Sequence, residues 1–247
     1  MQDRHKRART VLNAVACSLA ALGCSPMPPR SAGGAEGSVA VVRAFWAAHA
    51  DRDAMRKPFA VAFTYEVESL RDGDRARFAK VAFRHDDYQR IWVARNEASD
   101  LEEVPLGRDL EWEGSPGIGC ALATIRYLFS VPLGTARGRW EIRRLMTPSD
   151  VLHEEALEAS PLEPGAAVGT CRLELEEGTS LLESLVYAPR HQFARGSARR
   201  VRFGRWEVVD GVRVALEREG DLFREALSAV RFLSREEADQ LLPLEQK

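Results

Sequence analysis

His153-Glu154-Glu155 opens like the helical motif by which zinc hydrolases hold their metal, two histidines four residues apart with a glutamate between them. The second histidine belongs at position 157, and Leu157 stands there. His5, His49, His85, His153 and His191 are scattered without ligand spacing, so no metal site is expected. Gly114-Ser115-Pro116-Gly117-Ile118-Gly119 has the glycine content of a phosphate-cradling loop but lacks the Gly-Lys-Ser/Thr ending. A nucleophile elbow around Ser115 fails as well, because Glu113 takes the place of its first glycine. The segment reads as a loop leading into a helix. His85-Asp86-Asp87 holds groups suited to acid–base or calcium chemistry. Aspartates at a turn bond the local backbone, and a turn accounts for them better. Arg190, Arg195, Arg199, Arg200, Arg202 and Arg205 form a basic run able to meet phosphate or anionic headgroups. Arg200 and Arg202 alternate with Val201 and Phe203, however, as on the wet face of a half-buried strand. No nucleophile, base and orienting group can be assembled from these motifs, so neither an enzyme activity nor a cofactor is expected.

The cysteines say more. Asp3-Arg4-His5-Lys6-Arg7-Ala8-Arg9 is a charged start, residues 11–22 are mostly apolar, and Ala21-Leu22-Gly23-Cys24 follows. That order is the build of a secretory leader. The apolar run is shorter than the ~20 residues a bilayer needs, and no other segment reads as apolar enough to span one. A cysteine directly after a small residue resembles the lipobox of bacterial lipoproteins. The resemblance implies cleavage between Gly23 and Cys24, a diacylglycerol on the Cys24 thiol, and membrane attachment through it. With Ser25 rather than aspartate next, it further implies sorting to the outer membrane, facing the periplasm. Cys17 leaves with the leader. Cys120 and Cys171 remain, and in an oxidising envelope they either pair or stay as two buried thiols. Neither lies in a Cys-x-x-Cys pattern, which argues against redox or zinc roles.

Composition agrees with a globular envelope domain. The chain of 247 residues has 35 basic and 37 acidic residues, a formal charge of -2. Removing the four cations and one acid of the leader leaves 31 against 36, a net -5. A dedicated nucleic-acid binder needs the opposite excess. Residues 25–37 are rich in Pro, Gly, Ser and Ala and read as a tether.

The elements that must position any site follow from periodicity. Val39, Val42, Phe45 and Trp46 predict a helix over residues 38–55, stopped by Pro58. Residues 59–68 alternate large apolar with small or charged side chains, a half-buried strand. Asp72-Gly73 turns the chain into a strand at 78–83, and a third runs over 88–95. Residues 96–119 are acidic and turn-rich. A short helix is expected at 120–129, a strand at 139–146, and a helical turn around 150–158. Strands are predicted at 168–175, 181–187, 199–209, 212–218 and 225–233, with Asp210-Gly211 a second tight hairpin. Ser234-Arg235-Glu236-Glu237 starts a closing helix. Strands and helices are segregated, which points to α+β with a curved, mainly antiparallel sheet, an incomplete β-barrel covered by a few helices.

This order resembles the periplasmic lipoprotein-carrier family, the LolA/LolB-like proteins. Phe59-Ala60-Val61-Ala62-Phe63-Thr64-Tyr65 is similar to that family's first strand, Tyr187-Ala188-Pro189-Arg190 to a segment before a later strand, and residues 203–212 to its late hairpin. The resemblance implies a leader over 1–23, a tether over 24–37 and one such domain over 38–247. It implies a non-enzymatic function, binding a lipid, an acyl chain or a lipidated protein in an apolar cavity of the half-barrel. Phe63, Tyr65, Trp92, Phe129, Trp140, Phe203 and Trp206 are the candidate lining, each equally readable as core packing. The alternative is a membrane-anchored interaction module whose core is filled.

Overall fold

The computed structural model describes residues 33–50, 53–54, 58–87, 89–107, 109–136, 138–145, 156–162, 166 and 168–243. The leader, Cys24 and His153 lie outside the described residues. The chain divides into two compact units, Met1–Glu36 and Gly37–Lys247, and the sheet belongs to the second.

Helix α1 (Gly33–His49) is followed by strands β1 (Ala60–Ser69), β2 (Arg75–Arg84), β3 (Arg90–Ala94) and β4 (Glu102–Pro105). Helix α2 (Pro116–Ala136) leads to β5 (Trp140–Arg144), β6 (Ala156–Pro161), β7 (Val168–Leu175) and β8 (Leu182–Pro189). After a single 3-10 turn (Gln192–Ala194) come β9 (Arg199–Val209), β10 (Val212–Gly220), β11 (Phe223–Leu233) and helix α3 (Arg235–Leu241). The strands form one open antiparallel sheet in the order β4-β3-β2-β1-β11-β10-β9-β8-β7-β6-β5. Two meanders are thus joined where β1 meets β11, with β4 and β5 at the free edges. The incomplete-barrel expectation holds: the sheet does not close.

Period-two patterning sets the faces. Val61, Phe63, Tyr65 and Val67 of β1 enter one core, and Ala60 and Ala62 enter another on the opposite face. The hairpins obey turn chemistry: Asp210 and Gly211 have φ of 50° and 81°, as a two-residue turn matched to strand twist requires.

Helix α2 links the two edges of the sheet, and its 21 residues span roughly 31 Å at the helical rise. One side of it (Ile118, Leu122, Ile125, Phe129) packs with β1–β4, β10 and β11. The other (Tyr127, Leu128, Val131) packs with β6–β9 and with Val41, Val42 and Phe45 of α1. Burying each large aliphatic side chain contributes about 1.5–3 kcal/mol. That sum outweighs Pro132, which removes one helical hydrogen bond at a cost of about 3 kcal/mol. Trp140 lies across α2 at Gly134, where a Cβ would meet its ring at 2.6 Å. On the opposite face of the sheet, α3 covers Ala60, Ala62, Ala82 and Trp92. Its start is a capping box between Ser234 and Glu237.

Several expectations are corrected. Helix α1 runs over Gly33–His49 rather than 38–55. Helix α2 is twice the predicted length, and it is apolar and long enough to cross a membrane by composition, contrary to the sequence reading. It is wholly buried in the fold, which accounts for that composition. In the acidic stretch, β4 forms an edge strand with Val104 buried and its charges exposed. Residues 156–158, expected in a helical turn, belong to β6, where pairing on both sides with β5 and β7 overrides local preference.

Candidate ligand site

The sheet parts between β10 and β11. Strand β10 pairs with β9 from Val212 to Gly220, and β11 pairs with β1 as far as Leu233. The two strands pair with each other only at Glu217–Ala226, Arg218–Glu225 and Glu219–Arg224. Beyond that they diverge. The opening is backed by α2 and flanked at Val212 by Ala50, just past the end of α1. A narrow apolar slot lies between α2 and strands β8, β9 and β10. Leu128, Phe129 and Leu133 come from α2, Phe203 and Trp206 from β9, and Val212, Val214 and Arg218 from β10, with Leu182 at the start of β8. The free space among them is about 20 Å³, room for about one water.

At the closed end of the slot sits a buried polar trio. Arg218 and Glu225 face each other across β10 and β11, and Tyr65 reaches them from β1. The Tyr65 hydroxyl donates to the Glu225 carboxylate. Arg218 Nη1 stands 3.6 Å from Glu225 Oε2, beyond hydrogen-bond length. Arg218 is only 3% exposed, and its Nε and Nη1 make no hydrogen bond. Its guanidinium lies between two aromatic rings, 5.8 Å from the Phe129 centroid and 5.9 Å from that of Phe203. Burial pushes the Arg218 pKa down and the Glu225 pKa up, each opposed by the other's charge. Burial, then the Glu225 charge, holds Tyr65 protonated well above the usual range.

His49 closes the neighbouring side. Its Nδ1 lies 2.7 Å from the Phe45 carbonyl, and its Nε2 accepts the Leu182 N–H at 3.2 Å. These partners select the neutral ring with the proton on Nδ1. The ring meets Trp206 edge-on at 5.2 Å. Burial pushes its pKa from 6.5 down to about 4.

Of the seven candidate lining residues, Phe129, Phe203 and Trp206 come together at the slot. Phe63 and Tyr65 pack inside the first core, where Phe63 stacks on Phe129 at 5.5 Å. Trp140 packs in the second core against Tyr127. Trp92 points to the other face of the sheet, under α3, because Ile91 and Val93 take the concave side. Cys120 and Cys171 are free buried thiols, not a disulfide, one on α2 and one on β7. Burial raises both to about 12, so neither is a reactive thiolate. Asp87 caps its turn through the Gln89 N–H and binds Arg90. Of the arginine run, Arg200 meets Glu174 and Arg205 meets Glu207 and Glu217. Among the described residues, no cluster of His, Cys, Asp and Glu can hold a metal.

Sequence reasoning missed Arg218 and Glu225. The signal was present: both occupy inward positions of alternating strands, Val214-x-Leu216-x-Arg218 and Phe223-x-Glu225-x-Leu227.

Three solved structures align with this chain. A DUF1329 family protein from Desulfovibrio piger aligns with a TM-score of 0.48 at 10% identity, over 82% of this chain and 97% of that one. A putative outer membrane lipoprotein-sorting protein domain from Vibrio parahaemolyticus gives 0.46 at 10%, over 83% and 97%. A LolA superfamily protein from Nitrosomonas europaea gives 0.44 at 9%, over 79% and 93%. No protein-family profile matches the sequence, and no curated protein matches it.

Proposed function

We propose that the protein is a non-enzymatic, lipid-anchored protein of the cell envelope that takes one acyl chain, free or on a lipidated protein, into the slot between α2 and strands β9 and β10. The observation that carries this reading is the buried arginine whose Nε–H has no acceptor, in the lining of an apolar slot. A donor left unpaired inside a fold costs about 1–3 kcal/mol. A group that supplies an acceptor there repays that cost. Entry requires Phe203 and Trp206, both half-buried, to swing outward, and β10 has few ladder bonds to β11 that resist it. Chains with a brominated terminus quench tryptophan on contact. With the Cys24→Ser protein, such a chain is expected to quench fluorescence in the wild-type slot and to lose that effect in Trp206→Phe. No quenching at saturating chain would exclude the site.

A second reading rests on the 20 Å³: a filled core serving an anchored interaction module. It predicts no acyl uptake and no bound lipid in native mass spectrometry.

The anchor belongs to the same proposal. Diacylglycerol on Cys24 supplies two chains at about 0.8 kcal/mol per buried CH₂, enough for stable attachment where one chain is marginal. Cys24→Ser is expected to move the protein from the detergent phase to the aqueous phase on partition. Continued retention by membranes after a high-salt wash would end the lipoprotein assignment.

A further inference from the structure

We infer that Arg218 is the polar anchor of the slot and that it takes an uncharged oxygen acceptor, the ester or amide carbonyl of an acyl group, in preference to a free carboxylate. The inference rests on the acyl-binding reading and adds the chemistry of the ligand's polar end.

The argument is one of donors and charge. Arg218 offers its Nε–H with no protein acceptor, from a side chain that is 3% exposed, while its Nη1 faces the Glu225 carboxylate at 3.6 Å. Buried donors without partners are rare in folded proteins, and a single N–H takes one oxygen acceptor. The groups facing it come from four elements. Glu225 on β11 carries the opposite charge at 3.6 Å. Tyr65 on β1 spends its hydroxyl proton on that carboxylate. Phe129 on α2 and Phe203 on β9 present ring faces. Arg213, the other cation of the slot, is exposed and five residues along the same strand, about 17 Å away, so it does not reach a group held at Arg218.

The local charge therefore already sums to zero. A carboxylate would bring a second negative charge beside Glu225 into a site with little water, and must give up its hydration to do so. A carbonyl oxygen accepts from Nε and leaves the ion pair balanced. The methylenes then run along Leu128, Leu133 and Val214, where the lining is apolar.

The test compares a terminally brominated dodecanoic acid with its methyl ester, read by tryptophan quenching on the full chain carrying Cys24→Ser. The ester is expected to bind at least about tenfold more tightly than the acid at neutral pH. Arg218→Met, which keeps the volume and removes the donors, should still take up the bromoalkyl chain but lose most of the preference. Glu225→Gln, which keeps an acceptor for Tyr65 and removes the counter-charge, should shift the preference toward the acid. Circular dichroism confirms that each variant is folded. Equal or tighter binding of the acid by the parent chain, or an unchanged preference in folded Arg218→Met, overturns the anchor while leaving acyl binding intact. Quenching by neither compound overturns the acyl site, and the anchor with it.

Discussion

At the scale of single residues, the fold tolerates ionisable groups inside only where their partners determine the protonation state. His49 is the cleanest case. Its folded pKa of about 4 lies below the ordinary 6.5, so between those values the unfolded chain binds a proton that the folded chain refuses. Stability therefore falls as pH drops through that window, by about 3 kcal/mol in all, at 1.36 kcal/mol per pKa unit. The helix C-terminus would favour a charged ring, but desolvation is larger here. His49→Gln is expected to be less stable at neutral pH and to melt with a shallower dependence between pH 7 and 4. Parallel melting curves for parent and variant would contradict the assignment. The same scale explains why the site was hard to read in the sequence. Aromatic residues were found because bulk is visible, and three of seven fell at the slot. Arg218 and Glu225 read as ordinary surface charges, although each continues the inward period of its strand.

Among the elements, legibility followed periodicity. Strand β1 alternates cleanly, and Asp-Gly turns announce the β1–β2 and β9–β10 hairpins, so the two meanders were recognisable. Strands β4 and β6 were not, because charge and weak alternation hid edge or sheltered pairing that only neighbouring strands define. Helix α2 was half-read. Gly117, Gly119, Pro132 and Gly134 look like breakers, yet burial on every side keeps the segment helical. Its glycines are there for close approach. A Cβ on Gly119 would lie 2.0 Å from the Leu110 carbonyl oxygen, against backbone that cannot swing aside. Gly119→Ala should therefore cost about 2–3 kcal/mol of unfolding free energy. Gly107→Ala, with nothing within 4 Å of the new methyl, should stay within about 0.5 kcal/mol. Urea melts of the two variants give the comparison, and similar midpoints would mean that the loop–helix crossing at Leu110 is not a fixed contact.

For the molecule as a whole, α2 makes two cores into one cooperative unit. Ile125 belongs to the first core and Val131 to the second, both fully buried on the same helix. Ile125→Ala should cost about 3 kcal/mol and Val131→Ala less, yet each should move one shared transition. Tryptophan fluorescence and far-ultraviolet circular dichroism should report the same midpoint in each variant; two transitions, each sensitive to one substitution, would show independent halves. The pairing of β1 with β11 at the centre of the sheet has a temporal meaning too. Tyr65 and Glu225 bond across 160 residues of chain. A nascent polypeptide has its first meander complete while the strand that must lie beside it is still unmade. Contacts at that separation form slowly. Until β11 emerges, β1 presents a bare edge to its surroundings, open to wrong pairing. The last strand made thus decides when this sheet becomes whole, and folding of the first meander is held back by the topology.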